Sequence, residues 1–171
     1  MAATIEPARA SGRRMLAIGL VLSAIVVALD QASKAYFYDL LITSGRRAIE
    51  ILPFFNLVTV WNYGISFGLF NQGSPEAAYL FVAVALAIVV ALLFWLKSAD
   101  HPRIAVALGL VIGGAIGNVV DRLRFGAVFD FFDFHAFGWH WPAFNVADAA
   151  ITIGVGLLFI DALFTARQSS K

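Results

Sequence analysis

Asp130 and Asp148 stand on either side of one connecting segment, in Val128-Phe129-Asp130-Phe131 and in Phe144-Asn145-Val146-Ala147-Asp148. If the helices flanking that segment pack together, the two carboxylates can meet. Two carboxylates in one site cannot both ionise cheaply, so they share a proton, the arrangement that activates water by general acid/base chemistry. A second polar group precedes them in Gly113-Gly114-Ala115-Ile116-Gly117-Asn118-Val119-Val120-Asp121-Arg122. Here Asn118 is three residues from Asp121 and four from Arg122, so all three gather at one end of a helix. Asp30 and Lys34, four apart, share another helix face, and Asn145 and Asp148, three apart, share a third.

Each group alone has a plain reading. An Asp near a helix start can simply oppose the helix dipole. Asp30 with Lys34 reads as a helix-end ion pair at the interface, and Asn62-x-Gly64 as a turn. Gly109, Gly113 and Gly117 recur every four residues, a small-residue stripe where another helix backbone can come close. What outweighs these readings is several Asp and Asn gathered at one depth from four segments. The chain has no cysteine, which removes thiolate catalysis and disulfides. No His-x-x-x-His appears, and no His/Glu pair on one helix face, so no metal is expected. Ser23, Ser33, Ser66 and Ser74 have no Lys or His at a spacing that would activate them.

The elements that must carry these residues are apolar. Of 171 residues, 61% are hydrophobic and 13% charged, about half the charge of a soluble domain. This is a mainly α membrane protein with one domain. A net charge of +1 gives no reason to expect a nucleic-acid partner. Residues 1–14 read as a disordered cytoplasmic tail. Spans are expected at about 15–37, 76–96, 104–121 and 145–164, within one unit over 15–165. Basic residues before the first apolar run also describe a cleaved secretory signal. Asp30-Gln31 follows the run at once, and the helix can continue to Tyr38, so a retained span is the better reading. Residues 39–75 hold β-prone Leu57 to Asn62 between turn formers and read as a small strand-containing lobe outside the membrane. His101 sits in a tight loop, solvated. Residues 123–143, rich in Phe and Trp, read as a segment lying along the interface, with Pro142 at the entry to the last helix.

Four spans put both termini on one side. The flanks with Arg9, Arg13 and Arg14, with Lys97 and Arg103, and with Arg167 and Lys171 all fall there, and the positive-inside bias makes it cytoplasmic. Arg46, Arg47, Arg122 and Arg124 fall on the other side, as do Asp30, Asn62, Asn118, Asp121, Asp130, Asn145 and Asp148. Carboxylates in membrane proteins also form proton relays. Four spans without an inverted repeat, with acids at one face rather than the midplane, point away from transport. A scaffold built on the glycine stripe would leave the gathered Asp and Asn unexplained.

The chain resembles bacterial lipoprotein signal peptidase, the signal peptidase II family. The matches are Asp30-Gln31-x-x-Lys34, Asn62-x-Gly64-x-Ser66-Phe67, Gly113-Gly114-Ala115-x-Gly117-Asn118-x-x-Asp121-Arg122, Val128-x-Asp130-Phe131 and Phe144-Asn145-x-Ala147-Asp148. They occur in the family's order over about residues 15 to 165, with Ser66 where Ala is usual. The resemblance implies four transmembrane helices, a small β-cradle, and a surface helix or flap over Phe131 to Trp141. It implies an aspartyl endopeptidase of the bacterial inner membrane, without cofactor, expected to work as a monomer. Its substrate would be a prolipoprotein, cut before a cysteine already carrying diacylglycerol, bound laterally among membrane lipid with the site at the periplasmic face. The catalytic pair would be Asp130 and Asp148. The supporting polar residues would be Asp30, Lys34, Asn62, Asn118, Asp121, Arg122 and Asn145. Asp121 is a rival for the pairing with Asp148, and it is taken as structural because Arg122 follows it directly. Asn118, Asn145 and Arg122 would hold peptide carbonyls.

Overall fold

Long uncharged runs of Leu, Val, Ile and Ala satisfy their backbone polar groups internally only as helices once water is absent. The computed structural model describes residues 6–64 and 75–169 and places four helices on those runs. They are α1 (Glu6–Tyr38), α2 (Pro75–Lys97), α3 (Pro102–Phe125) and α4 (Val146–Ser169). All four are long and apolar enough to cross a membrane, over 32, 22, 24 and 19 residues in turn. This is a multi-pass membrane protein. α1 begins at Glu6, so the expected disordered tail is helical from there, and its far end widens into a π-helical turn at Asp39–Thr43.

α3 is the central and most buried helix, and glycine is the reason. A methyl group at Gly109 would stand 2.7 Å from the carbonyl oxygen of Gly19, and one at Gly113 would stand 2.8 Å from that of Ser23. The expected stripe is therefore where the α1 backbone lies against α3. Gly114 faces the other way, and a methyl group there would strike the carbonyl of Ala147 at the start of α4. α3 starts at His101, whose exposed ring accepts from the Arg103 N–H at 3.2 Å, and ends at Gly126 in the left-handed conformation (φ 73°). Glycine adopts that φ without steric cost. The turn lets the chain leave the helix and enter a strand within two residues.

The strands are β1 (Ala48–Leu52), β2 (Phe55–Asn62), β3 (Val128–Ala136) and β4 (Trp139–His140), antiparallel in that order. β2 covers the β-prone run from Leu57 to Asn62 that reads as a strand in the sequence. The segment expected at 123–143 to lie along the interface, with a surface helix or flap over Phe131 to Trp141, is the last turn of α3 followed by β3 and β4. Phe129, Phe131 and Phe132 are the physical reason. Phe129 and Phe131 are buried with Leu41 and Leu57 under the sheet, and β3 pairs with β2 through Asn62↔Val128 and Val60↔Asp130. Aromatic residues suited to an interface are equally suited to a pleated, half-buried sheet. Phe137 and Gly138, both at positive φ, turn the chain into β4. There His140 pairs with Asp133 at 2.9 Å and Asn56 donates to Asp133 at 3.1 Å. Burial of Asp133 acts to raise its pKa, but these bonds outweigh it and hold the carboxyl below its ordinary value. Ile65-Ser66-Phe67, the end of the Asn62 motif, lies outside the described residues.

Candidate active site

Asn145 begins α4. Its side-chain oxygen accepts from the Asp148 N–H at 2.9 Å, while a carboxylate oxygen of Asp148 accepts from the Asn145 N–H at 3.3 Å. This is a capping box written with Asn and Asp, in which each side chain satisfies the other residue's orphan N–H. Pro142, expected at the helix entry, lies four residues before Val146. The box, rather than proline, starts the helix. It also fixes Asp148 in the first turn, where the N-terminal end of the helix favours negative charge. The Ala147 N–H, also in this first turn, donates to Asp30 of α1 at 3.0 Å.

Asp130 comes from β3 and is 1% exposed. One of its oxygens accepts from the Asn145 amide at 2.6 Å and the other from the Asn62 amide at 3.0 Å. Asp148 accepts from the Asn118 amide at 2.8 Å with the oxygen not bonded to the Asn145 N–H. Each of the four carboxylate oxygens thus has one amide N–H on it. Asn145 touches both acids, one through its side-chain NH2 and the other through its backbone N–H. The Asp130 carboxyl is pushed up to about 7, first by burial and then by the charge of Asp148 beside it; the bonds from Asn62 and Asn145, and more distantly Lys34, pull it back. Asp148 is half-buried and Asn62 exposed, so the pair opens to solvent on one side.

Behind this pair lies a second cluster. The Lys34 ammonium sits 2.8 Å from Asp30 and 3.0 Å from Asp121, all three essentially out of solvent. Read alone as an interfacial ion pair, Asp30 and Lys34 are buried, because α1 and α3 pack at glycine contact there. Gly117 makes the room: a methyl group on it would be 2.5 Å from the Asp30 carboxylate. Asp121 is anchored on three sides, by Lys34, by the Phe129 N–H at 3.1 Å and by Gln31 at 3.0 Å. Its hydrogen-bonded partners are these, not the Arg122 that follows it, since successive residues on a helix point apart. The Asp121–Phe129 bond spans the turn at Gly126 and so fixes where β3 leaves α3.

The structure brings all nine expected residues to one end of the bundle. Arg122 lies near Asp148, Asp130 and Asp121 and stacks over Phe81 at 5.4 Å. The amides of Asn118 and Asn145 are aimed at the acids and at each other. Gln31 belongs to the network as well, donating to Asp30, to Asp121 and to the Gly117 carbonyl. Its place in Asp30-Gln31-x-x-Lys34 was the sequence signal for it. Ser23 bonds the carbonyls of Gly19 and Gly109 at 2.9 Å each and so ties α1 to α3.

The arrangement has known counterparts. Residues 22–164 match the family model described as Signal peptidase (SPase) II. The chain is 49% identical over 154 residues to the lipoprotein signal peptidase of Methylorubrum extorquens (strain PA1), with 88% of each chain covered. It is 48% identical over 139 residues to that of Anaplasma marginale (strain Florida), covering 81% of this chain and 79% of the relative. A bacterial membrane enzyme solved by the in meso method at 2.3 Å superposes with a TM-score of 0.72 at 30% identity, over 90% of this chain and 91% of that one. A match reaching all four helices, the sheet and both aspartates, on a fold shared with a solved membrane enzyme, makes this chain a member of the signal peptidase II family.

Proposed function

We propose that this protein removes the signal peptide from diacylglyceryl-modified prolipoproteins, cleaving before the lipidated cysteine, with Asp130 and Asp148 as its catalytic pair. The observation that carries the reading is the bridging of the two carboxylates by Asn145, with Asp130 held near neutrality. Asp148, at a helix N-terminus with two N–H donors on it, is the base. Asp130, buried and beside that charge, is the acid.

In the first step Asp148 takes a proton from water as the oxygen attacks the scissile carbonyl carbon. Asp130 gives its proton to the carbonyl oxygen, leaving a neutral gem-diol. In the second step Asp148 returns a proton to the departing amine and the C–N bond breaks. A hydroxyl of the gem-diol passes its proton back to Asp130 as the new carboxyl group forms. Both acids end as they began. Asn118 and Asn145 hold the carboxylates in place, and Arg122, beside the pair, is the cation that faces substrate. One copy carries both acids, so a monomer holds the complete pair.

The rate should be bell-shaped in pH, since only the singly protonated pair works. Asp130 must hold its proton, so activity should fall as pH rises through about 7. At low pH a second proton silences the base. Purified enzyme incubated with a lipid-modified prolipoprotein, followed by mass spectrometry across pH, tests both cleavage and profile. EDTA should leave the rate unchanged; loss restored by a divalent metal would replace this mechanism with a metal-dependent one.

The reading also places the protein in the bacterial inner membrane with both termini cytoplasmic and the acids at the periplasmic face. The support is span parity and the basic flanks. Reporter fusions at Ser98 and at Gly138 should report opposite compartments. The same compartment for both would sink it.

A further inference from the structure

The geometry points to Lys34 as a positioning residue for the reaction: from behind the acids it locks the Asn118 amide in the one orientation that donates to Asp148. The inference rests on the catalytic pair proposed above. An asparagine amide has two ends of similar shape and opposite polarity, so its environment must choose between them. The Asn118 oxygen accepts from the Lys34 ammonium at 3.2 Å and from the Asn145 NH2 at 3.3 Å, and its NH2 donates to Asp148 at 2.8 Å. An ammonium has only donors. Turning the amide over would set NH2 against the ammonium and against a second NH2, and oxygen against the Asp148 carboxylate. All three contacts would become repulsive.

The ammonium is itself fixed. Asp30 and Asp121 hold it from α1 and α3 at 2.8 and 3.0 Å, and its side chain is 7% exposed. It donates to Asn118 rather than to either acid of the pair, and its charge acts on Asp130 only from a distance. Its positioning action passes through Asn118, and from there along two routes, to Asp148 directly and to Asp130 through Asn145. With Lys34 gone, the Asn118 oxygen loses its strongest partner and the amide is free to turn. The base then loses the N–H that holds it toward the attacking water. Misplacing a reacting group by about 1 Å costs on the order of a hundredfold in rate.

A double-mutant cycle on the full-length enzyme tests this. Lys34→Met and Asn118→Leu are made singly and together, with kcat and KM measured on a lipid-modified prolipoprotein. Because Lys34→Met strands two buried carboxylates, Asp30→Asn/Lys34→Met/Asp121→Asn is read in the same cycle. That triple variant buries no charge and keeps oxygens to accept the Ala147 and Phe129 N–H groups. The expected result is a fall in kcat of about a hundredfold with KM unchanged for either Lys34 change. In the Asn118→Leu background the same change should cost no more than about twofold further, the additivity error of such cycles. A Lys34 effect that multiplies in full on Asn118→Leu would overturn the inference while leaving the catalytic pair standing. So would a loss that appears in KM alone, or a triple variant with native kcat. Native turnover in Asp148→Asn would remove the catalytic pair itself, and the inference with it.

Discussion

Asp130→Asn and Asp148→Asn are each expected to lower cleavage by roughly ten-thousandfold, the scale on which losing one member of a concerted catalytic set acts, while the protein stays folded and membrane-inserted. The reason lies in what each carboxylate does for the fold. Asp130 is held by the side chains of Asn62 and Asn145, neither of which it needs to keep β3 against β2. Asn at 148 keeps an oxygen for the Asn145 N–H, so the start of α4 survives. What neither variant keeps is a group that can pass a proton. Turnover of each variant, measured beside a thermal unfolding curve in detergent, separates the two effects. Near-normal turnover in either would take that residue out of the pair.

The second large effect runs the other way, toward stability. Lys34→Met leaves the Asp30 and Asp121 carboxylates facing one another without their ammonium, both buried. Removing one partner of a buried ion pair costs about 3–5 kcal/mol, because the charge left behind is neither solvated nor paired. Lys34→Met should therefore unfold roughly 10 °C below the parent. Asp121→Asn leaves a one-to-one pair and should fall between Lys34→Met and the two catalytic variants. A Lys34→Met protein as heat-stable as the parent would mean that this cluster is not charged as drawn.

Much of this was legible in the sequence because it follows from periodicity and cost. Helices over the apolar runs were required by length alone, and the glycine stripe on α3 announced a close helix contact. The meeting of Asp130 with Asp148 was readable as a possibility, from their places on either side of one segment. Two things were not. The segment after Phe125 could be read as interfacial or as strand, since Phe and Trp suit both, and only pairing with β2 decides. The depth of Asp30 and Lys34 was also hidden. A four-residue spacing shows which face they share, but not that Gly117 opposite leaves a hollow for the carboxylate. Asp121 likewise has its neighbour in sequence on one side and its partners in space on the other.

The cap at Asn145 has a consequence for how such an enzyme is made. The bonds that start the last helix are the bonds that orient the second acid, and they are completed by Asp30 of the first helix and Asn118 of the third. A nascent chain that has inserted three helices and its sheet already carries Asp130 but has no partner for it. With Asp130 and Asp148 as the proposed pair, the protease comes into being only with the last helix, in the same event that closes the bundle. Until then the membrane holds a chain that cannot cut, so no separate inhibitory segment is required to keep the growing polypeptide silent.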